Sequence, residues 1–137
     1  MVNIYNLFKF LEDKKGKPIP FGAKLIYTPD ELTDEDLNVE GDLDLSSSKI
    51  TSLPDNLQVG GSLYLAYSNQ ITSLPDNLQV GEYLNLFNTP ITSLPDNLKV
   101  GGSLDLRGTP LADKYSKEQI KKMIEEKGGE VEGEIYT

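Results

Sequence analysis

A ten-residue phrase, Ile-Thr-Ser-Leu-Pro-Asp-Asn-Leu-Gln-Val, occupies residues 50–59, returns at 71–80, and returns again at 91–100 with Lys in place of Gln. The copies begin at Ile50, Ile71 and Ile91, a nearly constant step, and each runs into a second shared element that ends in Leu-x-Leu: Leu63 and Leu65, Leu84 and Leu86, Leu104 and Leu106. A divergent first copy precedes them, with Leu37, Val39, Leu43 and Leu45 in the corresponding places. A period this short is too small for a helix pair of about 34 residues and suits one coil of a solenoid, a unit that buries its apolar side chains only by stacking on its neighbours.

Within a coil, Leu57, Val59, Leu63 and Leu65 alternate with small or polar residues, the period of two expected of a strand buried on one face. Ile71 and Leu74 then turn the chain inward again, and Pro75, Asp76 and Asn77 supply turn chemistry that stops the strand. Stacked coils lie about 4.8 Å apart, so the core is expected to be a ladder of identical leucines. Ser48, Asn69, Thr89 and Thr109, each two residues before an inward Ile or Leu, are expected to bond backbone between coils. Asp55, Asp76 and Asp96 also stack; aligned like charges are unfavourable unless each bonds a local backbone amide, so a turn role is expected of them. Ser52, Ser73 and Ser93 recur identically, which argues for architecture, since a catalytic residue is needed once.

The pattern L-x-L, a few residues, then I-T-S-L-P-x-x-L resembles the short leucine-rich repeats of bacterial effector proteins, and is similar to repeats found in proteins of bacteria and their phages. The resemblance covers residues 37–111. It implies an α/β repeat solenoid of leucine-rich-repeat-like coils, mainly β in the repeats, serving as a binding scaffold. No catalytic domain of the kind some effectors append is present in the sequence, so a ubiquitin-ligase activity does not carry over.

A solenoid needs its terminal coils covered, and helical caps are expected at both ends of a single domain spanning 1–137. In the N-terminal cap, 1–36, Asn3 opens a helix whose Ile4, Leu7, Phe8 and Leu11 share a face and which Gly16 ends; a strand follows over 24–28. In the C-terminal cap, 112–137, Ser116 to Gln119 forms a capping box, Ile120, Met123 and Ile124 share a face, and Gly128 with Gly129 closes the helix. The alternating tail after it is expected to form one final strand.

Composition narrows the function. The chain has no Cys and no His, which removes thiolate and imidazole nucleophiles, bases and metal ligands and leaves catalysis only carboxylates, Lys, Tyr or Ser. No catalytic residue, metal or cofactor is expected, a pair of carboxylates in the acidic segment being the weak enzymatic alternative. A net charge of -9 disfavours direct binding to nucleic acid or anionic membrane, and no stretch approaches the roughly 20 apolar residues of a membrane span. A cytoplasmic location in the producing or infected cell is expected, with virion association as an alternative.

The residues between and beside the leucines face outward in columns across the coils, and gather Tyr64, Tyr83, Asn85, Phe87, Asp105 and Arg107, with Tyr67 at the rim. Exposed aromatics beside an Arg have the composition of an interface hot spot, and these residues are the candidate partner-binding site. The plainer alternative is that the rings only cover the strands. A second feature is acidic: eight carboxylates between residues 30 and 44, among them Asp34, Asp36, Glu40, Asp42 and Asp44, with no Lys or Arg between them. A solvated face is the first explanation; a patch mimicking nucleic acid is the second, and a calcium site is poorly supported because the EF-hand spacing is absent. The leading expectation is a non-enzymatic protein-binding module, such as a phage-encoded inhibitor of a host protein. A virion subunit, a homo-oligomeric assembly protein and a sugar-binding face are the alternatives.

Overall fold

The computed structural model describes residues 37–137. The expected helix over 3–16, the strand over 24–28, and Asp34 and Asp36 lie outside the described residues. From residue 37 onward the chain winds as a parallel β-solenoid. Strands β1 (Asn38–Val39), β3 (Gln58–Val59), β5 (Gln79–Val80), β7 (Lys99–Val100) and β9 (Glu130–Val131) form one sheet. Strands β2 (Leu43–Asp44), β4 (Leu63–Tyr64), β6 (Leu84–Asn85), β8 (Leu104–Asp105) and β10 (Ile135–Tyr136) form the other. Three regular coils, 38–57, 58–78 and 79–98, are followed by a longer fourth, 99–129, and the beginning of a fifth.

The single strand expected from the alternation of Leu57, Val59, Leu63 and Leu65 is therefore two strands in two sheets. The reason is the pair at residues 60–61, Gly-Gly in this coil, which carries the chain round a corner between them while keeping both halves inward-facing on alternate residues. Every pairing is parallel and joins equivalent positions, so Val59 lies opposite Val80, and Leu63 opposite Leu84. Two residue ladders from the sheets line the core, Val39, Val59, Val80, Val100 and Val131 on one side and Leu43, Leu63, Leu84, Leu104 and Ile135 on the other, with Leu45, Leu65, Leu86 and Leu106 and with Leu57, Leu78 and Leu98 stacked beside them. Leu63, Leu84 and Leu104 are fully buried. The third side of each coil is the Ile-Thr-Ser-Leu-Pro segment; its Ile71 and Ile91 complete the core, and Thr92 N–H donates to the Thr72 carbonyl at 3.1 Å.

The corners are built for stacking. Asn56, Asn77 and Asn97 all hold left-handed backbone, with φ of 67°, 62° and 57°, a conformation Asn tolerates better than most residues. Their amides form a ladder, Asn77 Nδ2 to Asn56 Oδ1 at 2.8 Å and Asn97 Nδ2 to Asn77 Oδ1 at 2.9 Å. The neighbouring aspartates solve their like-charge problem by a route other than the expected local one. Asp55 accepts from the backbone N–H of Asp76, and Asp76 from that of Asp96, at 3.3 and 3.0 Å, so each carboxylate bonds the coil that follows it.

The small polar row is Ser48, Ser68, Thr89 and Thr109, with Ser68 in the place expected of Asn69. Ser68 is fully buried and donates to the Leu45 carbonyl at 2.7 Å, while Asn69 is exposed. The extra residue of the second coil falls after Ser68, so counting back from Ile71 selects the wrong side chain.

At the C-terminal end α1 (Pro110–Lys114) and α2 (Lys117–Glu126) replace the third side of the fourth coil. The capping box of Ser116 and Gln119 is complete, and Ile120 and Ile124 are buried against the coils. The tail then supplies two strands in place of the expected one, β9 and β10, which extend both sheets by one rung. Among the described residues no helix is long and apolar enough to cross a membrane.

Gly81 shows how close the coils run. A Cβ there would collide with the Gly60 carbonyl of the coil below. Gly81→Ala should lower stability by about 1–3 kcal/mol in urea unfolding, as overpacking does. Gln79→Ala, whose side chain faces outward on the same coil, should stay within about 0.5 kcal/mol. Equal midpoints for the two variants would show that the coils are not held at sheet spacing at that corner.

Candidate functional site

The outward positions of the second sheet are filled differently in each coil, whereas its inward positions are not. Three columns run up this face: Asp42, Ser62, Tyr83, Ser103 and Glu134; then Asp44, Tyr64, Asn85, Asp105 and Tyr136; then Ser46, Ala66, Phe87 and Arg107. The six expected site residues all lie on it. The rings pair across coils, with Tyr64 and Tyr83 centroids 6.3 Å apart and Tyr67 set edge-on to Phe87 at 5.5 Å, and the two pairs are joined through Asp105, which binds both the Tyr83 hydroxyl and Arg107. Arg107 extends the chain of contacts, its guanidinium 5.5 Å from the Phe87 ring centre and 5.6 Å from that of Tyr136.

Asp105, on the same face, is only 1% exposed. Its Oδ1 accepts from the Arg107 backbone N–H and from Arg107 Nε, both at 3.0 Å, and its Oδ2 accepts from Arg107 Nη2 at 2.7 Å and from the Tyr83 hydroxyl at 2.9 Å. Burial alone would push this carboxyl up, but the donors from Arg107, then Tyr83, outweigh it and hold the group below the usual carboxylate range. Tyr83 is pushed up to about 12 by burial and by its bond to the Asp105 carboxylate. Asp105 therefore acts as a clamp that orients Arg107 and Tyr83, with both its oxygens already occupied.

Asn85 has a comparable internal task, its Oδ1 accepting from the Phe87 N–H at 3.0 Å. Asp44 does the same for Ser46 at 3.0 Å, and Asp42 accepts from Ser62 N–H at 2.7 Å. Of the acidic group, Glu40, Asp42 and Asp44 are exposed at the first coil, where the last two border the aromatic surface. Among the described residues no three His, Cys, Asp or Glu side chains are grouped to hold a metal ion. Shallow grooves elsewhere, along Asn38, Gln58, Gln79 and Lys99 or beside Met123, gather no comparable set of side chains.

Two participants are stronger than the sequence suggests. Tyr67, a rim residue by its place in the sequence, is 56% exposed and holds left-handed backbone with φ of 61°, at a corner where the other coils place Ser47, Asn88 and Gly108. A bulky side chain in that conformation costs roughly 1–2 kcal/mol relative to the right-handed one. Tyr136 escapes the repeat count altogether, because the helices lengthen the last repeat, which runs from Leu104 to its partner Ile135. The signal is present in Gly133-Glu-Ile-Tyr136, which repeats the spacing of Gly102-Ser-Leu-Asp105.

The chain matches no protein-family model, no curated protein and no solved structure.

The Asp105 clamp titrates at both ends of the pH range. Its folded-state carboxyl lies below the usual value of 3.8, so its contribution is full above that value and is lost as pH falls further. Tyr83 lies above its usual 10.0, so its contribution is full below pH 10 and is lost as pH rises toward about 12. Urea unfolding of Tyr83→Phe should show lower stability than wild type at neutral pH and a shallower decline between pH 10 and 12. Parallel declines in the two proteins would mean the Tyr83 bond to Asp105 does not form in solution.

Proposed function

We propose that this chain is a non-enzymatic binding module and that the aromatic face of its second sheet is the surface on which a protein partner docks. The observation that carries the reading is Tyr67: a large ring kept mostly in solvent on a strained corner that the other coils build with Ser, Asn and Gly, where nothing in the core requires it. Strain retained at one residue is a mark of use by something outside the fold. Its ring continues the surface of Tyr64, Tyr83, Phe87 and Tyr136, in which Arg107 is held in a single orientation by Asp105. Anchors of this kind, aromatic and arginine together and fixed before contact, lose little freedom on binding.

The arrangement suits binding better than catalysis. Asp105, the one buried carboxylate on the face among the described residues, is occupied by Arg107 and Tyr83, which leaves it no free lone pair directed at a substrate. A phage-encoded inhibitor that masks a host protein is the setting this reading favours, with the resemblance to bacterial and phage repeat proteins as its background.

The test is affinity capture from lysate of the native host cell with the full chain, its Tyr67→Asn variant and its Phe87→Ala variant, alongside thermal unfolding of all three. In Tyr67→Asn, relief of about 1 kcal/mol of backbone strain offsets loss of an edge-to-face contact worth about 0.5–1.5 kcal/mol, so its melting temperature should stay close to wild type. A defined protein retained by wild type and lost from both variants supports the reading. Retention of the same protein by all three, or by none with the chain self-associated in light scattering, overturns it.

A further inference from the structure

The aromatic face carries one device twice, complete in the last coils and lacking a part in the first. In the complete copy Asp105 takes the backbone N–H of Arg107 on Oδ1 at 3.0 Å and gives Oδ2 to the guanidinium at 2.7 Å. Tyr136, in register with Asp105 on the next coil, lies with its ring centre 5.6 Å from that guanidinium. In the first coils Asp44 takes the backbone N–H of Ser46 on Oδ1 at the same 3.0 Å, and Tyr64 stands in register with Asp44 on the next coil. The carboxylate and the ring recur; the arginine does not, because its column position holds the short Ser46.

We propose that Asp44 and Tyr64 form a seat for the guanidinium of an arginine side chain on the protein partner, which completes from outside the arrangement that Arg107 completes from within. This deepens the binding-module reading and rests on it. Arg107 is the chain's sole arginine and is committed to Asp105, so the occupant belongs to another molecule. The charge of the face agrees: Asp42 and Asp44 are exposed beside the seat, while Arg107 and Lys117 are paired with Asp105 and Glu134. The Ser46 amide, and then its hydroxyl, hold Asp44 below its ordinary range, so the seat is anionic at neutral pH. Arginine fits better than lysine because its planar fork can bond the carboxylate through two N–H groups while its face lies on the ring. The exposed Tyr67 ring, on the same coil as Tyr64, is the second flat surface within reach of a peptide laid along the face.

The experiment is an amide-detected NMR titration of the full chain, at low salt, with acetyl-Gly-Arg-Gly-amide and with its lysine counterpart. Saturating shifts confined to Ser46, Tyr64, Tyr67 and their neighbours are expected, with the lysine peptide roughly tenfold weaker, the size of a lost charge-assisted hydrogen bond. Asp44→Asn should weaken the arginine peptide by a similar factor. Ser46→Arg, which fills the seat from within the chain, should abolish its binding without lowering the melting temperature. No shifts, shifts spread over remote carboxylates such as Glu125 and Glu126, equal binding of both peptides, or undiminished binding to Ser46→Arg would each overturn the seat. A partner captured equally by wild type and Ser46→Arg, yet lost from Tyr67→Asn, would sink this inference while leaving the binding-module reading standing.

Discussion

In-register parallel pairing between coils is the constraint from which most of this structure follows. Strands of the same sheet lie about 4.8 Å apart, and each residue faces its own counterpart one coil away. For leucine and valine that is favourable, since identical apolar side chains stack into continuous ladders with no mismatch of shape. For glycine it is compulsory at the corners, where Gly81 and Gly101 run against the backbone of the coil below. For asparagine it creates an amide ladder, and for aspartate it creates a repulsion that is relieved by bonding the backbone N–H of the following coil. The same spacing thus selects the repeated phrase residue by residue.

Departures from the repeat fall where this constraint is weakest. The extra residue of the second coil lies between Ser68 and Ile71, on the side of the coil that forms no sheet, and both sheets keep their register through it. The fourth coil departs at the same side, leaving the repeat at Leu111, whose N–H still donates to the Ile91 carbonyl at 3.2 Å, and returning at Gly128 and Gly129. Between those points α1 and α2 bring Ile120 and Ile124 to the core in place of a third side. An extra residue within a strand forces a register slip or a bulge, whereas an irregular side absorbs it.

Outward positions escape the ladder rule, and variation between coils accumulates there. The column Asp44, Tyr64, Asn85, Asp105 and Tyr136 holds three kinds of chemistry at five equivalent sites, whereas its inward neighbours at Leu43 to Ile135 hold one. Where the column carries Asp or Asn, the side chain bonds the N–H two residues on, at 3.0 Å in each of three coils, and so shapes its own turn. Where it carries Tyr, the ring is left to the surface. The aromatic face is the sum of these choices, braced at its centre by a buried carboxylate that no outward column would be expected to bury.

A period of about 20 residues, with Leu and Val at fixed places in it, was enough to specify a solenoid, its inward residues and the capping box of α2, because each depends on local pattern or on repetition alone. The same pattern placed Tyr64, Tyr83, Asn85, Phe87, Asp105 and Arg107 on one face, since alternation along a strand is a local property. Tertiary structure decided the rest. Two sheets instead of one strand per coil, Ser68 instead of Asn69, and a tail that adds a rung to both sheets all depend on which residue lies opposite which, and a one-residue insertion or a helical detour conceals that from counting. The burial of Asp105 and the surface that Tyr67 shares with Phe87 depend on neighbours a full coil distant along the chain, brought within contact only when the coils close on one another.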